Sequence, residues 1–167
     1  MAIITFQNEP IQLCGQLPEV GCIAPNFLLT NSDLQDVSLD NYAGKRKILS
    51  INPSLDTPTC AATARKFNQK AVSMKNTIIL IVSADLPFAQ CRFCETEGLK
   101  DIEVLSDFRS HFAIDYGVQI VNGTLAGLMT RAVIIIDEQN KISYTQLVSE
   151  IAHEPDYEAV FGALKKR

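Results

Sequence analysis

The sequence predicts an α/β fold: a mixed β-sheet flanked by helices, with a β-hairpin at its N-terminus. Three observations point there. Strand-like and helix-like segments alternate through the middle of the chain, the order expected when helices cover both faces of a sheet. The run Ile78 to Ser83 is almost wholly apolar, as expected of a parallel strand buried on both faces. The apolar share, 47% of 167 residues, suffices for one continuous core, so residues 1–167 read as one domain.

Ile3 to Phe6 and Ile11 to Cys14 are alternating runs joined by Asn8-Glu9-Pro10, a hairpin pattern. Ala24-Pro25-Asn26-Phe27 leads into a short strand, Phe27 to Thr30. Val37 to Leu39 reads as an edge strand before the turn Asn41-Tyr42-Ala43-Gly44. Lys47 to Asn52 is a strand that stops at Pro53, and a helical pattern runs from Pro58 to Met74. After the strand Ile78 to Ser83, Asp85 is placed to cap a second helix, Leu86 to Glu97. Ile102 to Leu105 is a strand, Phe108 to Tyr116 a helix ended by Gly117, and Asn122-Gly123 a turn. Arg131 to Asp137 and Lys141 to Val148 are strands around Asp137-Glu138-Gln139-Asn140. Pro155 opens a closing helix that runs to Lys165. These layers fit a thioredoxin-like arrangement.

Charge and composition exclude several roles. Net charge is −4 and the pI about 5.1, a field that repels nucleic acid. The longest basic runs are Lys45-Arg46-Lys47 and Lys165-Lys166-Arg167, so no nucleic-acid partner is expected. No apolar stretch approaches the roughly 20 residues that span a bilayer. Met1 to Gln7 has neither a basic start nor a long apolar segment, so no secretory leader is expected, and the cytoplasm is the expected location. There are five cysteines, Cys14, Cys22, Cys60, Cys91 and Cys94. An odd count in a reducing compartment leaves inert core thiols, a metal site or redox chemistry.

Cys60 stands out by its position. Thr57 is a good N-cap and Pro58 then falls at N1, where its missing N–H costs nothing. That register puts Cys60 in the first turn, beside unpaired backbone N–H groups and the positive end of the helix dipole. Both favour the thiolate, the reactive form of cysteine. Cys60, Ala64, Phe67, Ala71 and Met74 recur at helical spacing, so Cys60 faces inward. A buried, inert thiol is the competing reading, because free cysteine is among the most buried residue types. The cap weighs against that reading without removing it.

Pro53, Thr57 and Cys60 match the Pro-x-x-x-Thr-x-x-Cys signature of peroxiredoxins. The longer string Ser54 to Cys60 resembles the version found in bacterial thiol peroxidases, the atypical two-cysteine subfamily. The resemblance covers nearly the whole chain. It includes Ala24 to Phe27, Ala43 to Lys47, Ser83 to Gln90 and Arg131-Ala132-Val133. It implies that Cys60 attacks hydrogen peroxide or an organic hydroperoxide and becomes a sulfenic acid. Thr57 would orient the peroxide, backbone N–H groups would stabilise the leaving oxygen, and Pro53 would shield the site from water. Arg131, which by itself reads as a solvated or salt-bridged residue at a strand start, becomes the active-site arginine. The resemblance further implies a homodimer, thioredoxin as reductant and no cofactor.

Cys91-Arg92-Phe93-Cys94 lies inside the second predicted helix and has three readings. A zinc half-site lacks further ligands, since His111 and His153 are isolated. A thioredoxin-type dithiol opens a helix directly after a strand, whereas this motif starts about two turns in. In the third reading, implied by the resemblance, Cys94 resolves the sulfenic acid and forms an intrachain disulfide with Cys60. Cys91 departs from the family pattern. It lies about 60° from Cys94 around the helix axis. Cys94 borders the stripe Leu86, Ala89, Phe93 more closely, so Cys94 is expected to face the Cys60 helix and Cys91 to face outward. Two cysteines on separate helices meet only if the segments unwind, because disulfides need Cα atoms within about 7 Å. A disulfide oxidoreductase using Cys91 and Cys94, or a redox sensor without turnover, are the other functions the sequence allows. A cysteine hydrolase lacks a histidine base near Cys60. Phe88, Leu125 and Leu128 are candidates for an apolar mouth to the site.

Overall fold

The computed structural model describes residues 1–165; Lys166 and Arg167 of the terminal basic run lie outside the described residues. The central sheet has seven strands: β3 (Leu29–Thr30), β4 (Asp36–Val37), β5 (Arg46–Ile51), β6 (Thr77–Ser83), β7 (Glu103–Ser106), β8 (Ala132–Ile136) and β9 (Ile142–Leu147). Their order is β4-β3-β7-β6-β5-β8-β9. β5, β6 and β7 run parallel, and the other neighbours are antiparallel. The sheet is therefore mixed, as predicted.

The apolar runs conceal a period of two. Ile48, Ile79, Ile81, Val133 and Ile135 point to one face, and Leu49, Ile51, Leu80, Val82 and Ile134 to the other. The first face carries α1 (Pro58–Ala71), α2 (Pro87–Glu97) and α4 (Tyr157–Lys165). There Phe67 of α1 packs edge-on against Tyr157 and Phe161 of α4, with ring centroids 5.7 and 5.8 Å apart. The second face is closed by the segment around Phe27, a 3-10 turn at Leu39–Tyr42, and the short α3 (Phe112–Asp115).

A separate two-stranded hairpin, β1 (Ile3–Phe6) and β2 (Glu9–Gln12), covers a small cluster of Ile4, Ile11, Leu13, Ile120 and Ile151. The second hairpin strand sits two residues earlier than predicted. Gln7 and Asn8 take positive φ of 53° and 68°, the backbone of a two-residue hairpin turn. That turn pairs Phe6 with Glu9 and leaves Pro10 opposite Thr5 in a short two-stranded ribbon.

Other boundaries differ for local reasons. α1 ends at Ala71, three residues before the predicted Met74, although Met74 still packs on the same cluster. The predicted helix from Phe108 survives only as Phe112–Asp115. Residues 107–110 are drawn into a turn instead, with Phe108 N–H on Ser106 Oγ at 3.3 Å and Ser110 N–H on Asp107 O at 2.9 Å. Gly117, at φ 68°, lies so close to Gln16 that an added Cβ would stand 2.2 Å from its carbonyl oxygen.

Candidate active site

β5 delivers the chain to Asn52 and Pro53, and the loop that follows turns into α1. Thr57 is the N-cap, with its hydroxyl oxygen accepting the Cys60 N–H at 3.2 Å, and Pro58 sits at the first helical position. Cys60 lies in the first turn and is fully buried, as is Phe67 further along the same stripe. Pro53, in the loop that leads into the helix, is buried as well.

Arg131 stands just before β8, antiparallel to β5, and reaches the same spot. Its Nη1 donates to Cys60 Sγ at 3.2 Å and to Asn52 Oδ1 at 3.0 Å, and its Nε donates to Ile151 O at 2.9 Å. Only 2% of Arg131 is exposed, and among the described residues no carboxylate pairs with it. The solvated or salt-bridged arginine weighed from sequence is therefore excluded. A buried guanidinium without a carboxylate is costly unless another anion meets it. A sulfur anion accepts its N–H better than a neutral thiol does.

Thr57, Cys60 and Arg131 thus come together, with Pro53 next in the chain to Asn52, which binds Arg131; Cys94 does not join them. All five cysteines are free, and no disulfide links Cys94 to Cys60. Cys94 packs against the cluster that contains Phe67, but with Cys91 it lines a cavity of about 310 Å³ on the β7 side of α2. The groove of about 360 Å³ beside Thr57 and Pro58 is lined instead by Ala89, Arg92 and Phe93 of α2. Cys94 thus packs on the cluster of Phe67 in α1, as expected, and Cys91 stays outside that cluster, although both thiols border the same cavity. Burial first, and Cys91 second, push the Cys94 thiol up to about 11. The Glu95 carboxylate, 3.6 Å from Cys91 Sγ, holds the Cys91 thiol above its ordinary value. Phe88 is 69% exposed and Leu125 packs under the hairpin, so these two do not form one mouth.

Several supporting residues escaped the sequence reading. Asn52 anchors Arg131, and its own Nδ2 donates to Ser50 O at 2.9 Å. Asp85 does not cap α2. Leu86 is the N-cap, without a side-chain bond, and the Asp85 carboxylate turns to the Cys60 loop. It accepts from Ser54 Oγ at 2.8 Å, the Leu55 N–H at 2.7 Å and Ser83 Oγ at 2.7 Å. Ser83 Oγ in turn accepts from the buried Gln90 of α2 at 3.0 Å. A signal existed for Gln90, a polar residue one turn after Leu86 on the inward side of the helix. None existed for Asp85, two of whose three donors come from Ser54 and Leu55, 31 and 30 positions earlier in the chain.

The Redoxin family profile matches residues 19–161. The chain belongs to the Redoxin family. This redoxin is 45% identical to a thiol peroxidase of Corynebacterium glutamicum over 98% of this chain and 99% of that protein. A solved structure of a peroxiredoxin-like protein from Aquifex aeolicus superposes with a TM-score of 0.93 at 38% identity, covering 99% of this chain and 97% of that one. A thiol peroxidase from Chromobacterium violaceum shares the fold, with a TM-score of 0.91 at 23% identity over 98% of this chain and 95% of that one. The redoxin is accordingly a peroxiredoxin-type oxidoreductase with a thioredoxin-like fold. None of its helices, among the described residues, is long and apolar enough to cross a membrane.

Proposed function

We propose that this redoxin is a thiol peroxidase that reduces hydrogen peroxide and organic hydroperoxides with Cys60 as nucleophile. The observation that carries the proposal is the 3.2 Å bond from buried Arg131 Nη1 to Cys60 Sγ. It supports a thiolate at the start of α1, aimed into a site that Pro53 walls from water. The Cys60 thiolate attacks the terminal peroxide oxygen, the O–O bond breaks, and the other oxygen leaves as water or alcohol after taking up a proton. Thr57 Oγ1 is placed to orient the peroxide, and Arg131 faces the charge that develops on oxygen. Cys60 is then a sulfenic acid.

Cys94 resolves that acid in this reading: its thiol attacks Cys60 Sγ, water leaves and an intrachain disulfide forms. Because Cys60 is enclosed in the first turn of α1 and Cys94 is held within α2, both segments must unwind locally for this step. Thioredoxin then reduces the disulfide by exchange. We further take residues 1–167 as one domain, acting as a homodimer in the cytoplasm in antioxidant defence. A dithiol oxidoreductase working through Cys91 and Cys94 is disfavoured, because both thiols are held above their ordinary values.

Peroxide consumption coupled to thioredoxin, thioredoxin reductase and NADPH tests the proposal. Cys60→Ser is expected to abolish turnover with hydrogen peroxide and cumene hydroperoxide. Cys94→Ser is expected to keep the first attack and lose recycling. Turnover that survives Cys60→Ser, or oxidation without thioredoxin-linked recycling, would overturn it.

A further inference from the structure

Cys91 has no part in the mechanism above, yet it stands beside the thiol that mechanism needs. Cys91 and Cys94 line one cavity between α2 and β7. They are one turn apart on the same helix, where side chains at i and i+3 are neighbours and Cα atoms meet the disulfide limit. The helix holding them has no side-chain N-cap, and the resolving step already requires it to open at Cys94.

The sulfurs also differ in what holds them. Cys60 Sγ receives an N–H from a buried guanidinium, whereas a carboxylate faces Cys91 and Cys94 is held by burial in an apolar cluster. Of the three, only Cys60 has a buried guanidinium beside its sulfur to meet the charge of a leaving sulfur, and exchange runs toward release of the better leaving group.

We propose that Cys91 is an exchange thiol that takes the disulfide over from Cys60. The inference rests on the Cys60–Cys94 intermediate proposed above. The Cys91 thiol gives its proton to solvent and its sulfur attacks Cys94 Sγ of that disulfide. A Cys91–Cys94 bond forms, the Cys60–Cys94 bond breaks, and the electron pair leaves on Cys60 Sγ, which returns to Arg131. Cys91 is oxidised, Cys60 is reduced, and Cys94 remains in a disulfide throughout. The result is a re-armed peroxidatic site with the oxidising equivalent parked on α2, next to solvent, for the reductant to collect.

The full chain, reduced and freed of reductant, is titrated with hydrogen peroxide while bridges are mapped by differential alkylation and mass spectrometry. The wild type is expected to take up a second equivalent, with Cys60 alkylatable again after the first and a Cys91–Cys94 bridge present. Cys91→Ser is expected to stop after one equivalent with Cys60 locked to Cys94. Glu95→Gln, which removes the carboxylate facing Cys91, is expected to speed the handover in the wild-type background. A wild type that stops at one equivalent with Cys60–Cys94 intact would overturn the exchange while leaving the resolving step standing. A Cys91→Ser protein that never forms Cys60–Cys94 would overturn the resolving step, and the exchange with it.

Discussion

Arg131 holds the site by answering three acceptors at once: a sulfur, an amide oxygen and a backbone carbonyl. A lysine carries the same charge but cannot reach all three in fixed geometry. Arg131→Lys is therefore expected to slow peroxide attack on the order of 10²-fold in stopped-flow measurements, with the circular dichroism spectrum unchanged. A rate within about twofold of wild type would remove Arg131 from the chemistry. At this scale the sequence was legible where function and local structure coincide. Thr57, Pro58 and Cys60 write out a helix start, and a helix start can be read from four residues. Asn52 and Asp85 could not be found that way, because their partners arrive from elsewhere in the chain. Asp85 leaves the cap of α2 empty for a physical reason. Three donors from Ser54, Leu55 and Ser83 compete for its carboxylate and win over the unpaired N–H groups of α2.

Between elements, the same carboxylate ties the Cys60 loop to the end of β6, and Ser83 passes the link to Gln90 of α2. The two segments that the proposed resolving step would unwind are thus latched through Asp85 and Ser83. Asp85→Asn keeps the size but weakens charge-assisted bonds to three donors, at a cost of about 1–3 kcal/mol. Hydrogen exchange is expected to speed up in residues 54–60 and in α2 together; acceleration in one segment alone would show that they open independently. A second tie joins the hairpin to the strand-end segment that carries Ile151. Glu150 accepts from Thr5 Oγ1 at 2.6 Å and from the Gln7 and Asn8 N–H groups at 3.1 and 3.2 Å. The Thr5 hydroxyl, with those backbone amides, pulls its carboxyl down to about 2 from 4.5. A lowered carboxyl contributes stability above its unfolded value and loses it as pH falls. Protection of the Gln7 and Asn8 amides should therefore decline between about pH 4.5 and 2. In Glu150→Gln, protection factors measured by NMR should already be low at pH 7 and stay flat across that window.

For the molecule as a whole, the sequence revealed the alternation of strands and helices but not the order of strands in the sheet. Ile78 to Ser83 announces a buried strand by being apolar throughout, and for the same reason it hides which side chains face which layer. The two-residue strands Leu29–Thr30 and Asp36–Val37 are too short for any period to show. Most decisive for function is the placement of β8 antiparallel beside β5, since that pairing brings Arg131 across to Asn52 and Cys60, and nothing local encodes it. The buried guanidinium has one more consequence. A sulfur anion on Cys60 would answer that guanidinium; once the sulfur is tied into the proposed disulfide, Arg131 is left with neutral acceptors only. Cross-linking ordinarily raises a melting temperature by restricting the unfolded chain. Here oxidation is expected to lower it, so that calorimetry on the two redox forms would find the reduced protein the more heat-resistant. The enzyme would then be returned to its working state by its own folding preference, with the reductant supplying electrons along a slope already tilted toward the thiolate.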